Sequence, residues 1–528
     1  MKRFLVTGSV VSALGIGLTI VLLWFLGGAG AWPASLHAAG NVITVCPGGG
    51  CDYDGIQAAV DAAAPGDEIR VATGTYAGVQ SRSGVTQAVY LSKTLTIRGG
   101  YSPDFAAWAP DTYPTTLDAE GMGRGLYLVD DVSPTLEALS VTNGSAVAGG
   151  GGSTGGGGIY INGAHPTISG CQVYSNAGLS GAGVYFYGSS NVTLIGNRIF
   201  DNRVTGGTGG GVYAYASDNA VLTGNRVYGN RANNGGGLYI GNSDGIALSG
   251  NEIYTNTATS QYGGGMLISA SDDVDLSHNR VYSNTANGSG GGLHLNTSTG
   301  TMVGNRFYGN VANGNGGGVN LDQSDVLADG DIVRWNRTVM GEGSGIYMYE
   351  CAPVLSNTVV ADNVDEGAGL GNRVAIWVDS ASPRFMHLTM ARHPSHGMYI
   401  VSNGTLTSSV TLTNSIIYSH SFGLVVYGTL GKTSKALLYN TLSYSNTVSF
   451  DNLGNSIGFD YGTVYGDPDF LADGYHIGPA SAAIDSGLDA GVLSDVDGGA
   501  RPAAGGYDIG ADERPHEIHV PLVVHQWP

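Results

Sequence analysis

Three residues near the middle of the chain have side chains suited to breaking a glycosidic bond: His294, Asp322 and Glu350. Hydrolysis of such a bond needs two carboxyl groups about 5 to 9.5 Å apart, and Asp322 and Glu350 occupy neighbouring copies of a repeated sequence. His294 could act as the general base of a lytic reaction. That reaction also needs a cation or an arginine to stabilise the enolate, and no outward arginine adjoins His294. These are the candidate catalytic residues, and the set is incomplete.

Tyrosines and asparagines surround these candidates in rows that follow the repeat. Aromatic rings at repeat spacing would suit the apolar faces of sugar rings, and the amides could bind hydroxyl groups. The predicted ligand-binding residues are Tyr185, Tyr187, Tyr213, Tyr215, Tyr239, Asn296, Asn320, Tyr347 and Tyr349. The alternative is that outward tyrosines only stabilise a sheet by stacking on their neighbours. A second aromatic column is interpreted in that way: Phe200, Tyr228, Tyr254, Tyr282 and Tyr308.

The elements that must position these residues are copies of one short unit. Successive units begin 26 or 28 residues apart, at 197, 225, 251, 279, 305, 331 and 357. A fixed period of this kind indicates a repeat architecture, and the alternation of apolar and polar residues within each unit indicates strands. Val227, Val281 and Val333 are predicted to face the core. The asparagine that starts each unit, replaced by aspartate at 331, is interpreted as part of a structural ladder at a corner of the coil.

This pattern resembles the right-handed parallel β-helix superfamily, which includes pectate lyases and polygalacturonases. The resemblance covers roughly residues 41 to 465. It implies an all-β fold, a right-handed parallel β-helix solenoid with an N-terminal helix cap and a C-terminal capping segment. It does not specify an activity, because the fold hosts lyases, hydrolases, epimerases and adhesins. The Asp272-Asp273 pair is similar to paired aspartates of polygalacturonases but lies in a turn that other copies share.

The composition excludes some classes of partner. The chain has 528 residues and a formal net charge of −20, so nucleic acid is excluded because binding phosphate needs a basic surface. A polyanionic polysaccharide would need bound calcium to reverse the local charge. Four cysteines in so long a chain give no disulfide framework, although Cys46 and Cys51 could close one small loop. No metal or cofactor is predicted, with Ca²⁺ the one ion that could bind, and the protein is predicted to be a monomer.

Residues 1–39 are predicted to be a signal peptide or an N-terminal anchor. Lys2 and Arg3 precede an apolar run of 17 residues from Val10 to Leu26, and small residues follow. The small residues favour cleavage, although the run also reaches the lower end of the length that spans a membrane. With either outcome the solenoid is predicted to be extracellular or at the cell surface. The mature chain is predicted to have no membrane span.

The rest of the chain divides into four predicted regions. Residues 40–135 are predicted to form the N-terminal cap, with a helix from about Asp54 to Ala64, and the irregular first coils. Residues 136–465 are predicted to form the β-helix repeats. A C-terminal domain at 466–513 is followed by a tail at 514–528.

The C-terminal domain resembles the choice-of-anchor Q domain, which follows β-helices in exported bacterial proteins. The resemblance depends on motifs such as Asp467-Pro468 and Asp508-Ile-Gly-Ala-Asp512-Glu513. It implies a cap on a surface protein rather than a reaction. The Asp495-x-Asp497-Gly498 spacing could hold calcium, but an Asx turn is the favoured interpretation.

Three functions are consistent with these patterns. The favoured one is an exported, surface-associated protein that binds polysaccharide or another surface polymer through the tyrosine-lined face. The first alternative is a polysaccharide lyase or glycoside hydrolase with its site near His294 and Asp322. The second alternative is a structural stalk or adhesin. Binding is favoured because the fold and the outward tyrosines support it, whereas no complete catalytic set is present.

Overall fold

The computed structural model describes residues 40–148, 155–366, 373–429, 431–503 and 505–514. The predicted signal peptide or anchor lies outside these residues, and so does the tail beyond Arg514. Within the described ranges, no helix is both long enough and apolar enough to cross a membrane.

The chain winds into a β-solenoid of four sheets, here called sheets A to D, and one turn of the solenoid is called a coil. Strands pair in parallel with their equivalents in the next coil, apart from the antiparallel pair Gln80–Arg82 and Val85–Leu91. Sheet A has 16 strands: Val42–Val45, Glu68–Ala72, Thr96–Tyr101, Thr135–Glu137, Thr167–Ser169, Thr193–Ile195, Val221–Thr223, Ala247–Ser249, Val274–Ser277, Thr299–Val303, Asp325–Asp329, Val354–Ser356, Arg384–Met386, Ser409–Thr413, Ser434–Tyr439 and Ser456–Tyr461. Sheet B has 14 strands: Gly74–Ala77, Thr115–Asp118, Leu139–Thr142, Gln172–Tyr174, Arg198–Phe200, Arg226–Tyr228, Glu252–Tyr254, Arg280–Tyr282, Arg306–Tyr308, Ile332–Arg334, Val359–Ala361, Thr389–Ala391, Ile416–Tyr418 and Leu442–Tyr444.

Sheet C is the third long sheet, and sheet D adds a short strand to eight of the coils. Sheet C has 15 strands: Gln80–Arg82, Val85–Leu91, Arg124–Val129, Ile159–Asn162, Val184–Tyr187, Val212–Tyr215, Leu238–Gly241, Met266–Ser269, Leu293–Asn296, Val319–Asp322, Ile346–Tyr349, Val374–Asp379, His396–Val401, Phe422–Gly428 and Val448–Gly454. Sheet D has eight short strands: Ala177–Gly178, Arg203–Val204, Arg231–Ala232, Thr257–Ala258, Thr285–Ala286, Val311–Ala312, Arg337–Thr338 and Val364–Asp365. The predicted all-β parallel solenoid is confirmed.

One helix is present in the described part of the chain, α1 (Ile56–Ala62). It packs against Val42–Val45 and Glu68–Ala72 of sheet A and Val85–Leu91 of sheet C, and it buries Ile56, Ala59 and Val60. The predicted helix is therefore confirmed with shorter bounds. Cys46 and Cys51 form a disulfide.

The core of the solenoid is a stack of apolar side chains flanked by two asparagine ladders. Val227, Val281 and Val333 are buried, as the repeat predicted. In the ladders each side chain bonds the next coil: Asn225 Nδ2 donates to Asn251 Oδ1 at 3.1 Å, and the Asn225 backbone N–H donates to the same oxygen at 2.9 Å. These bonds satisfy polar groups at corners that have no access to water. The structural interpretation of the register asparagines up to residue 305 is confirmed.

The ladder register slips by one residue at Asn357. The strand pairing joins Val333 to Val360, not to Val359 as the repeat spacing predicted. In earlier coils the residue before the ladder position takes the left-handed conformation and is usually glycine, as at Gly330 with φ +69°, whereas here Asn357 itself takes that conformation with φ +48°. Thr358 therefore enters the ladder position, and Asn357 turns outward.

The C-terminal segment, defined here as residues 466–513, lies along the side of the solenoid. Ile477, Ala483 and Ile509 pack on Ile416 and Leu442 of sheet B. Tyr475 and Ala511 pack further along the same sheet against Ile332, Val359, Ala361 and Ala391. The apolar face of the segment therefore covers the outer surface of sheet B, and the capping role of the segment stays a prediction.

Candidate functional site

Sheet C carries all of the predicted site residues except Glu350, which follows its strand Ile346–Tyr349 directly. The register pairs Tyr185 with Tyr213 and Tyr213 with Tyr239. Further along the sheet it pairs Asn296 with Asp322. The predicted rows therefore exist as neighbours, in two groups that the coil of Leu267 separates.

The tyrosine rings of sheet C stack on one another. Ring centroids are 4.8 Å apart between Tyr185 and Tyr213 and 5.0 Å apart between Tyr213 and Tyr239. In the second row Tyr187 and Tyr215 lie 5.9 Å apart. Because neighbouring rings occupy these faces, only the ring edges and hydroxyl groups of the inner members are open to a ligand. The stacking favours the stabilising role that sequence analysis left open.

His294 and Asn320 are buried, which corrects the expectation that both face solvent. Each is only 3% exposed, because the glycine-rich stretch before its strand folds back over it. A Cβ atom at Gly290 would lie 2.6 Å from that of His294, and one at Gly316 would lie 2.7 Å from that of Asn320. The Tyr262 ring covers His294 at 4.6 Å.

Burial also removes the chemistry expected of His294. It lowers the pKa of His294 to about 4, so the imidazole is neutral at pH 7. Its Nδ1 atom is buried without a hydrogen-bond partner. A base in this position does not reach a polymer on the outside of the solenoid.

The two candidate carboxylates have different surroundings. Burial, and then the charge of Glu350, raise the pKa of Asp322. Glu350 accepts hydrogen bonds from the Thr405 hydroxyl at 2.5 Å, the Thr405 backbone N–H at 2.7 Å and Gln323 Nε2 at 3.0 Å. These bonds lower the pKa of Glu350 to about 2. Glu350 is thus held as an acceptor and is poorly suited to donate a proton.

The remaining predicted residues lie beside these carboxylates. Burial raises the pKa of Tyr347, and nearby Asp379 and Asp322 act in the same direction. Tyr349 is half-buried in the second row. The Asn296 amide lies 3.4 Å from the Ser269 hydroxyl and accepts a bond from Thr297 at 3.1 Å. The surroundings of the two carboxylates are therefore polar, but neighbouring residues already form part of the hydrogen bonds that these side chains can make.

The outer face of sheet B carries a second aromatic column beside a row of arginines. Its rings stack at 4.8 to 4.9 Å in the order Tyr174, Phe200, Tyr228, Tyr254, Tyr282 and Tyr308. The exposed arginines of the adjoining row are Arg198, Arg226, Arg280 and Arg306. Glu252 bridges two of them, Arg226 at 3.0 Å and Arg280 at 3.2 Å. Tyr308 is the last ring, and Arg334 follows it in register.

This column ends in a cleft of about 1000 Å³ where the C-terminal segment meets sheet B, here called the sheet B cleft. Sheet B and its corners supply one wall, and the C-terminal segment supplies an acidic wall. Its lining includes Arg280, Arg306, Tyr308, Arg334 and Trp335 on the first wall and Asp473, Tyr475, Asp495 and Asp497 on the second. Sequence analysis missed this cleft because no pattern in the chain specifies where the C-terminal segment packs.

Trp335 is the most distinctive residue of the sheet B cleft. It has a left-handed backbone with φ +55° and a 57% exposed side chain. Equivalent corners of earlier coils hold small residues in the same conformation: Ser175, Asp201, Gly229, Thr255, Ser283 and Gly309. Any residue other than glycine costs about 1 to 3 kcal/mol in this conformation, so Trp335 differs from residues such as Ser283 in the size of its side chain and not in its backbone. The one feature of the sequence that could have indicated the sheet B cleft is this tryptophan, at a position where other coils have small residues.

A match to a protein-family model supports the fold of the repeats. The family described as right handed beta helix region matches residues 118–314. The chain is similar in structure to pectate lyase Pel9A, with 13% identity, 90% of this chain and 97% of that chain covered, and a TM-score of 0.26. It is also similar to the periplasmic alginate epimerase AlgG, with 12% identity, 74% and 77% covered, and a TM-score of 0.27.

A third similar structure is the catalytic domain of a GH87 alpha-1,3-glucanase in complex with nigerose. The identity is 15%, the coverage is 82% of this chain and 70% of that chain, and the TM-score is 0.33. No curated protein sequence matches this chain. The family match and the strand pairing together identify the repeats as a right-handed parallel β-helix.

Proposed function

We propose that the protein binds a polysaccharide or a similar polymer, without cleaving it, in the sheet B cleft. The observation that carries this proposal is the exposed Trp335, held on strained backbone at the edge of the cleft. Smaller residues take the same backbone conformation at the equivalent corners of earlier coils, so the distinctive feature of this corner is the exposed indole ring. The Arg334 guanidinium lies over one face of the Trp335 ring, 4.3 Å from its centroid, and the opposite face can pack against the apolar face of a sugar ring.

The other walls of the cleft suit the rest of a sugar. Arg280 and Arg306 present guanidinium donors, and Asp497 presents an acceptor, so both kinds of hydrogen bond to hydroxyl groups can form. Tyr308 ends its stack, so its ring lacks a further aromatic neighbour on the side of Arg334. An open cleft with a few polar groups around apolar surface is typical of ligand sites.

The tyrosines predicted on sheet C form a second candidate surface. Tyr187 is 46% exposed, and the Tyr215 hydroxyl accepts a hydrogen bond from Asn242 at 2.6 Å. Polymer contact there would use ring edges and hydroxyl groups. Export and surface association remain proposals, which the N-terminal pattern and the choice-of-anchor Q resemblance support.

The lyase or hydrolase alternative is weaker at the predicted residues. His294 is buried, and Glu350 is held by Thr405 and Gln323. The stalk alternative requires that the sheet B cleft binds nothing.

A glycan array followed by titration of the best ligand tests the proposal. We expect Trp335→Ala to lower the affinity at least tenfold and Tyr213→Ala to have a smaller effect. Tyr465→Ala, which removes a 78% exposed tyrosine outside the cleft, is the matched control and should bind as wild type. An array without any ligand would favour the stalk, and release of shortened products would favour the enzyme.

A further inference from the structure

One histidine of the C-terminal segment lies among carboxylates that come from separate parts of the chain. His476 Nδ1 bonds to Asp473, and His476 Nε2 bonds to Asp497. One nitrogen of His476 and one oxygen each of Asp497 and Asp512 all lie within 4.8 Å of one another. The loop at 473–476, the turn at 495–498 and Asp512 thus meet at one point.

Hydrogen bonds hold each of these groups in position. Asp512 is buried and accepts a bond from the backbone N–H of Ile477 at 2.8 Å. Asp495 accepts bonds from the backbone N–H groups of Asp497 at 3.0 Å and Gly499 at 2.6 Å. This is the Asx turn expected from the sequence. Asp495 therefore shapes the turn, and Asp497 projects from it toward His476.

The donor set has the composition of a transition-metal site. An imidazole nitrogen with two carboxylate oxygens suits Zn²⁺ better than Ca²⁺, which takes six to eight oxygen ligands. Ligands at about 2.1 Å from one ion in a tetrahedron are about 3.4 Å apart, which is below the 4.8 Å limit within which these three atoms lie. Asp473 on the other ring nitrogen matches the carboxylate that usually orients a metal-bound histidine.

The charge around His476 also favours a cation. Asp473, Asp497 and Asp512 surround a single imidazole, so the cluster stays negative even if the ring carries a proton. The side chain of Asp497 is 51% exposed at the edge of the sheet B cleft, so an ion can enter from solvent. A fourth position would be left for water.

We propose that His476, Asp497 and Asp512 bind one divalent transition-metal ion of the Zn²⁺ type, with Asp473 as the positioning residue. The ion would join three stretches of the C-terminal segment and fix the acidic wall of the sheet B cleft. This site goes beyond polymer binding and does not depend on it. The competing explanation is a metal-free ion triplet in which His476 bridges two carboxylates.

Calorimetric titration of the untagged, chelator-treated protein with ZnCl₂ tests the site, with CaCl₂ as the comparison. We expect one Zn²⁺ per chain and no comparable binding of Ca²⁺. His476→Ala and Asp497→Asn should each lower the Zn²⁺ affinity more than tenfold. Asp473→Asn should lower it about 10- to 100-fold, as loss of an orienting carboxylate does elsewhere. Zn²⁺ should raise the Tm of the wild type but not that of Asp497→Asn.

His165→Ala is the matched control, because His165 Nε2 lies 3.0 Å from Asp131 without a third ligand. It should bind Zn²⁺ as the wild type does. The proposal is overturned if Zn²⁺ does not bind, or if His476→Ala and Asp497→Asn bind it with unchanged affinity. Asp497 is largely exposed, so Asp497→Asn should fold even if His476→Ala does not.

Discussion

The side chain of Asn414 holds Leu488 through both of its amide atoms. Asn414 Nδ2 donates to the Leu488 carbonyl at 2.7 Å, and Asn414 Oδ1 accepts from the Leu488 backbone N–H at 2.8 Å. This pair attaches the C-terminal segment to sheet B. Asn357 and Asn440 bond the same segment, to Ser494 and Ser486. The register slip at Asn357 thus supplies these asparagine contacts, and Arg334 and Arg392 add bonds to the carbonyl groups of Asp473 and Gly474.

Asn414→Gly should loosen the C-terminal segment. Asn414 has φ +49°, a conformation that glycine takes without strain. The change therefore removes the two bonds to Leu488 and the 3.2 Å contact between Asn414 Nδ2 and His387 Nε2. We expect the free energy that protects the Leu488 amide from hydrogen exchange to fall by about 1 to 3 kcal/mol. Asn219→Gly is the matched control, because Asn219 is exposed and has φ +56°. Equal exchange at Leu488 in the two variants would refute this attachment.

Asp331 should make stability depend on pH. It occupies a ladder position, where burial raises its pKa to about 7 from the ordinary 3.8. Its Oδ2 atom lacks a partner, whereas ladder asparagines place a donor there. Because the folded pKa lies above the unfolded one, the stability from this group is fully present below pH 4. It is lost as pH rises through 7.

Asp331→Asn is therefore expected to be more stable than wild type above pH 7, with the difference shrinking toward pH 4. Urea unfolding at pH 4, 6 and 8 measures it. Asp275→Asn, at an exposed position of sheet A, controls for the change in net charge. A constant difference between Asp331→Asn and wild type across this range would contradict the prediction.

His294→Leu should not destabilise the protein. His294 carries a buried Nδ1 atom without a partner, and its neighbour in register is Leu267. Leucine removes the unsatisfied atom, so we expect the free energy of unfolding at pH 7 to stay level or rise by about 1 kcal/mol. His294→Ala should lower it by about 2 to 4 kcal/mol because it leaves a cavity.

Measuring the polymer affinity of the two variants distinguishes a packing role of His294 from a role in binding. Both His294 variants should bind the ligand found on the array as wild type does. If His294→Leu is stable but has lost binding or a reaction, His294 belongs to the site and its buried position opens in solution.

The sequence predicted the parts of the molecule that repeat. Val227 and Val281 are buried because a constant period places equivalent residues one above the other. The predictions from the sequence were wrong where the fold depends on contacts between residues that are far apart in the chain. The cover that Gly290 and Tyr262 form over His294 is one such contact. The position of the C-terminal segment is another, since Asn414 and Leu488 lie 74 residues apart without a pattern that relates them.

The prediction of the register at Asn357 failed for a different reason. Asparagine serves both as a ladder residue and as a residue in left-handed backbone, so the repeat spacing alone could not decide between the two. Trp335 was visible in the sequence, but its importance depends on the segment that packs beside it.

Hydrogen exchange with and without the bound oligosaccharide tests the proposed function most directly. We predict slower exchange around 306–308 and 334–335 on sheet B, and around 494–498 on the C-terminal segment, with little change between 185 and 215 on sheet C. Protection confined to 185–215, with no change around Trp335, would contradict binding in the sheet B cleft.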